Sequence, residues 1–179
     1  HFAIKVAGGF YNNPALGLPV SVGMMLLINS ITGFPESILM DNGYLTNIRT
    51  ALAGAIAAHQ LAKPILHTIG VFGSGTQARY QLRALKLIRS FQKVIVNGID
   101  EAETRRYSDE MTKELGCPVI RSTDPAEVVF ASDLVITTTP SHSPIIQANW
   151  LHSGLHITAM GADGTEKQEI FRNAIPGAN

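Results

Sequence analysis

Hydrophobic and polar positions follow two different patterns along this chain, and the change falls at Lys63-Pro64. Before it, residues 4–6 form a short β-like run, and Gly8-Gly9 with Asn12-Asn13-Pro14 punctuate a loop. Residues 24–28 are a continuous apolar run. Thr32-Gly33 followed by Pro35 reads as a turn, and residues 37–40 run back, which makes a hairpin. From Thr46, a candidate cap, Ile48, Leu52, Ala55, Ile56 and His59 recur at helical spacing to about residue 62. This helix is rich in alanine, so another element can approach it closely, and Pro64 ends it. Beyond Pro64, β and α segments alternate. Thr68–Phe72 is a strand, and residues 77–88 are a helix with Ala78, Leu82, Leu85 and Ile88 on one stripe. Residues 94–96 are a strand, Glu101–Leu115 a charged helix stopped by Gly116, and residues 119–120 a strand. Residues 125–131 are a short helix capped by Asp124 with proline in its first turn. Leu134–Thr137 and His156–Ala159 are two more strands. Strands separated by helices of this length require right-handed crossovers and a parallel sheet. The fold class is α/β: a doubly wound parallel sheet over residues 64–179, preceded by part of a second α+β domain over residues 1–63.

Composition narrows the function. Apolar residues are 45% and charged residues 16% of the 179, so the chain is globular, with a charged share below the usual quarter or so. Fourteen Lys/Arg balance fourteen Asp/Glu, which argues against a nucleic-acid binder working through bulk charge. The longest apolar runs, residues 22–28 and 51–58, are far short of the roughly 18 needed to span a bilayer. One cysteine, Cys117, excludes an internal disulfide and any cysteine-rich metal site. No signal peptide or Asn-x-Ser/Thr acceptor is seen, and these features together point to a cytoplasmic protein. So few charges suggest surface hidden against a partner subunit or against more of the same chain. The abrupt start at His1-Phe-Ala-Ile-Lys-Val6 and the end at Ile175-Pro-Gly-Ala-Asn179 read as those of a segment of a longer protein.

The sharpest motif is Gly70-Val-Phe-Gly73-Ser-Gly75-Thr76-Gln77-Ala78, a Gly-x-Gly-x-x-Ala loop between a strand and a helix. Gly73 allows the tight turn, Gly75 lets a pyrophosphate approach the backbone, and Ala78 keeps the helix close to the sheet. The free N–H groups of the following helix then face the phosphates. The ribose position, at the end of the next strand, is Gly98, with Asp100 and Glu101 just beyond. Those acids would repel a 2′-phosphate, so NAD(H) is favoured over NADP(H).

In an open parallel sheet the other chemistry gathers at the carboxyl ends of the strands. Asp163 is the one carboxylate in the Met160–Gly164 stretch, and it reads either as a general acid or base or as a cap for a helix near residues 166–171. His152 and His156 do not share a helical face, and no metal site is expected. Ser141-His142 lacks a nucleophile elbow, so hydrolase chemistry is not expected. Cys117 reads as a buried structural thiol.

Several stretches together resemble the ornithine cyclodeaminase/μ-crystallin family. They are Gly17-Leu-Pro19, Leu39-Met-Asp41-Asn-Gly43-Tyr44-Leu-Thr46, Arg49-Thr50-Ala51, the glycine loop through Arg79, Thr137-Thr-Thr-Pro140-Ser141, and Gly161-Ala-Asp163 with Lys167. The wording Phe10-Tyr-Asn-Asn-Pro and Asp41-Asn-Gly-Tyr-Leu-Thr is most similar to the ectoine-utilisation branch. The resemblance implies a Rossmann domain, a second domain that forms a homodimer, and NAD(P)-linked imine chemistry on a small amino acid or imino acid. That chemistry spans cyclodeamination, imine or ketimine reduction, and amino-acid dehydrogenation; a non-catalytic crystallin-like binding protein and another amino-acid dehydrogenase are the alternatives. It also implies Asp163 as catalytic acid/base and Lys5 as the substrate-binding lysine. Arg49 corresponds to an arginine that reaches the cofactor phosphates, and Ser21 falls near a cofactor-binding threonine. Thr76, Gln77 and Thr139 contact the cofactor, Met160, Gly161 and Ala162 lie over the nicotinamide, and Lys167 follows. Family chains are longer at both ends, and Gly98 stands where NAD-using members often carry aspartate.

Overall fold

The computed structural model describes residues 1–10 and 12–174. The chain divides into two compact units, His1–Arg49 and a second that begins at Thr50.

The first unit is an antiparallel meander of β1 (Phe2–Gly9), β2 (Ser21–Ile28) and β3 (Pro35–Leu39), in that order across the sheet. β1 and β2 outrun their apolar cores because Gly8 and Gly9 continue the ladder opposite Val22 and Ser21. The expected hairpin is β2–β3, with Gly33 in the left-handed region at its turn. Pairing of Ile4 with Leu26 and of Leu26 with Ile38 puts these side chains on one face, with Phe2, Val6 and Met24. Lys5, paired with Met25, lies on the other. Helix α1 (Tyr44–Leu61) begins before Thr46. Its cap is Asp41, whose carboxylate accepts from Leu45 N at 2.6 Å, so the expected role of Thr46 passes to an acid placed earlier by the Asn42-Gly43 turn.

The second unit holds the rest of α1 and a parallel five-stranded sheet. Its elements are β4 (Thr68–Phe72), α2 (Thr76–Ile88), β5 (Lys93–Asn97), α3 (Glu101–Leu115), β6 (Val119–Arg121), α4 (Pro125–Phe130), β7 (Leu134–Thr137) and β8 (His156–Ala159). Strand order is β6-β5-β4-β7-β8, so the chain moves outward from β4 and then returns to its other side. Alternate residues feed two cores. Ile69, Val71, Val94, Val96, Leu134 and Ile136 meet Leu82, Leu85, Tyr107 and Met111, while Phe72, Ile95 and Val135 meet Val128 and Val129 of α4. Helices on both faces make the sheet doubly wound.

The division at Arg49/Thr50 falls inside α1, ahead of the junction expected at Lys63-Pro64. The reason is packing: Ala51 and Ala55 of α1 bury against Ala84 of α2, and Arg89 reaches back to His59 O and Pro64 O at the helix's end. At the amino ends of β4 and β7, Asp133 accepts from His67 N and Thr68 N and pairs with Lys63. No helix forms over residues 166–171. That backbone runs along residues 141–146 instead: Gln168 N donates to Ser141 O, and Ile145 N and Ile146 N donate to Glu169 O.

Candidate functional site

The strand order reverses between β4 and β7, which puts the crevice for a ligand at the carboxyl ends of these strands. The glycine loop leaves β4 there. Gly73 has φ 98° and lies against Thr138, where an added Cβ would come 3.0 Å from its hydroxyl and 3.1 Å from its carbonyl oxygen. Only glycine takes that backbone comfortably. Gly75 caps α2 with ordinary φ and no side-chain hydrogen bond, and a Cβ there would meet nothing within 4 Å. Crowding therefore does not require glycine at 75. The start of an α-helix leaves its first N–H groups without partners inside the helix, and such groups suit an incoming phosphate.

Arg79, one turn into α2, braces this loop. Its guanidinium donates to Ser74 O and Gly75 O, binds Glu110 of α3 at 2.8 and 3.0 Å, and lies 4.9 Å over the Tyr107 ring. That hydrogen bond holds the Glu110 carboxyl below its ordinary pKa, and burial pushes the Tyr107 phenol up. Arg79 was legible only as part of the family motif; no rule of spacing marks it as a loop brace.

Gly98 ends β5 against Ser74 and α3. A side chain there would run into Thr104 Oγ1, which is bound to Asp100 O. Asp100 caps α3 through Glu103 N at 2.8 Å, and Glu101 engages Arg105 and Arg121 at 3.1 and 3.7 Å.

The loops after β7 and β8 meet around Glu169, a residue the sequence reading did not single out. Its carboxylate, 1% exposed, accepts from Thr139 N and Thr139 Oγ1 on one oxygen and from Thr137 Oγ1 and Gly161 N on the other. A methyl group on Gly161 would strike Glu169 Oε1 and Thr139 O. Met160 N donates to Thr137 O, and Ala162 and Asp163 follow into solvent. Asp163 pairs with Lys167, Nζ to Oδ1 at 2.5 Å, with side-chain exposures of 69% and 13%. With no helix after it, Asp163 is not a helix cap.

The loops bearing Gly73, Gly75, Thr76, Gln77, Gly98, Thr139, Met160, Gly161, Ala162, Asp163 and Lys167 thus share one end of one sheet. Lys5, Ser21 and Arg49 belong to the first unit. There Ser21 packs against Gly43 at the start of α1, and Arg49 is exposed on that helix. Ser141 donates to Ser143 O and His142 bonds Glu166 O, so they form no nucleophile–base pair. His156 bonds Thr158 and is lowered in pKa by burial, while His152 faces Val129 O. Among the described residues there is no metal-ligating cluster and no helix long and apolar enough to cross a membrane.

A doubly wound sheet with this loop is a dinucleotide-binding fold. The profile of the ornithine cyclodeaminase/mu-crystallin family matches residues 1–178, and the chain belongs to that family. An uncharacterized cyclodeaminase of Sinorhizobium fredii is 42% identical over 99% of this chain and 54% of its own. The Thermococcus litoralis Δ(1)-pyrroline-2-carboxylate reductase, in complex with NADH and L-proline, superposes with TM-score 0.89 at 29% identity over 96% of this chain and 53% of that one. An archaeal alanine dehydrogenase dimer with bound NAD gives 0.87 at 32%, covering 96% and 52%. The chain spans about half the length of the curated relatives it matches.

Proposed function

We propose that this chain is part of an NAD(P)-dependent enzyme that forms or consumes the imine of a small amino acid, by cyclodeamination, imine reduction or amino-acid dehydrogenation. The observation that carries the reading is the open space at Gly75, where α2 starts, at the same sheet end as the Asp163–Lys167 pair. The open space at Gly75 fits a pyrophosphate at the start of α2, with Thr139 and residues 160–162 on the nicotinamide side. The dinucleotide supplies hydride transfer. Asp163, exposed beyond β8, takes or returns a proton at the substrate nitrogen or at water. Lys167 pairs with that carboxylate, and Lys5 anchors the substrate carboxylate. We infer cofactor roles for Ser21 and Arg49 as well, Arg49 as a phosphate-binding cation.

NAD(H) is favoured over NADP(H). Asp100 and Glu101 sit at the end of β5, and the nearby guanidinium groups of Arg105 and Arg121 are engaged by Glu101. A homodimer fits the exposed apolar face of the first sheet, with Phe2, Ile4, Val6 and Ile38 uncovered; light scattering of the full-length protein at micromolar concentration checks it. The function is tested by titrating the full-length protein with NADH and NADPH, then following NAD(P)H absorbance with amino acids, cyclic imines, and keto acids plus ammonia or methylamine. Binding without turnover on any of these would favour a crystallin-like ligand-binding protein.

A further inference from the structure

We infer that Glu169 is the positioning residue of this site: its carboxylate locks the loop after β7 to the loop after β8 and so sets where Thr139 and Asp163 stand. The inference rests on the reading that Asp163 does proton chemistry beside a nicotinamide.

The sheet does not need this residue to form. The β7–β8 ladder runs from Leu134↔His156 to Thr137↔Ala159, and Met160 N to Thr137 O extends it by one bond. Past that point the two chains carry the proposed chemistry without a ladder to hold them. Glu169 enters there from the segment pinned along residues 145–146. A buried carboxylate is costly unless its oxygens are well hydrogen-bonded, and here both are. Each oxygen receives one backbone N–H, Thr139 N at 2.6 Å on one and Gly161 N at 2.8 Å on the other. Each also receives one threonine hydroxyl, Thr139 Oγ1 at 2.8 Å and Thr137 Oγ1 at 2.6 Å.

The two amides fix the chemistry of the clamp. An amide N–H only donates, so both oxygens must accept. Glutamine would have to turn its own NH2 against Thr139 N or Gly161 N and release one loop. Gly161 completes the clamp, since any larger residue would push Glu169 and Thr139 away. A displacement of the loops of order 1 Å can cost about 10²-fold in turnover, whereas the phosphate end is held by α2 and braced by Arg79.

The test compares full-length wild type, Glu169→Gln and the milder Thr137→Val, which removes one hydroxyl and keeps both amides. Hydrogen exchange is read without added nucleotide over residues 137–141 and 160–164, beside NADH affinity, kcat and KM. In Glu169→Gln, exchange in at least one of these segments should rise by about tenfold while β4 and β5 stay protected. Its kcat should fall by about 10²-fold, with NADH affinity, held chiefly at the phosphates, falling by less than about tenfold. Thr137→Val should show the same pattern at smaller size, and it decides the matter if Glu169→Gln does not fold. Exchange unchanged in both segments overturns the inference. So does exchange rising through the whole sheet with kcat and NADH affinity falling together, the mark of a general structural role. Wild type that binds no NADH would overturn the proposed function instead, while the exchange comparison still decides whether the clamp exists.

Discussion

Lys167 meets Asp163 across a turn, Nζ to Oδ1 at 2.5 Å, although the spacing of four residues is that of a helical pair. Lys167 N donates to Gly164 O, and this turn brings the ammonium back to the carboxylate. The carboxylate stays in solvent while the lysine stem is largely covered. A surface ion pair of this kind adds roughly 0–1 kcal/mol to stability, so its interest is chemical.

Asp163→Asn keeps the shape and removes the proton acceptor. Turnover should fall by roughly 10²–10⁴-fold, with NADH affinity and melting temperature nearly unchanged. Steady-state kinetics with a fluorescence titration check this, and near wild-type kcat on the true substrate would refute the acid/base role.

The two loop glycines should separate in a simple way. Gly73→Ala forces a positive φ and crowds Thr138, so it should lower stability by about 1 kcal/mol or more. Gly75→Ala meets open space and should melt like wild type, yet bind NADH at least about tenfold more weakly, about 1.4 kcal/mol. Calorimetric melting and NADH titration of both variants distinguish strain from obstruction.

Restoring an acid at the ribose position should fail here. In Gly98→Asp the new side chain meets Thr104 Oγ1, so the variant should lose about 1–3 kcal/mol of stability and gain no NAD affinity. Gly98→Asp with Thr104→Ala should recover much of the stability. Melting and NAD titration of the single and double variants provide the check.

Asp133 links stability to acid. Burial pushes its pKa up, but the Lys63 hydrogen bond and the amides of Thr68 and His67 outweigh that and hold it below its ordinary value. The stabilisation is therefore complete above the unfolded pKa, about 4, and is lost as pH falls through the lower folded pKa. Asp133→Asn should cost about 1–3 kcal/mol at neutral pH. The gap to wild type should close below about pH 4, as read in denaturant melts across pH.

The alternating half of the chain was legible because its signals are local. The apolar runs of β4, β5 and β7 fill a double-sided core, and Asp124 caps α4 through Ala126 N at 2.9 Å as its position before Pro125 suggests. The glycine loop was legible because its physics is written in consecutive residues. Asp41 was hidden as a cap because the Asn42-Gly43 turn brings it to α1 from outside the apolar pattern. The segment around residue 169 misled for a different reason. Glu166-Lys-Gln-Glu169 looks like an exposed polar helix, but its backbone bonds to residues 141–146, and periodicity cannot register a carboxylate that turns inward. The one hint was Thr137-Thr138-Thr139, hydroxyls at a strand end in need of an acceptor.

The lateness of Glu169 in the chain also bears on synthesis. The ribosome releases the glycine loop and all five strands before it, because β8 ends at Ala159. Domains generally fold as units while the chain emerges amino end first. The sheet can thus be assembled while the loops after β7 and β8 are still unjoined, and their hydrogen bonds to the Glu169 carboxylate form only when residue 169 has cleared the exit tunnel.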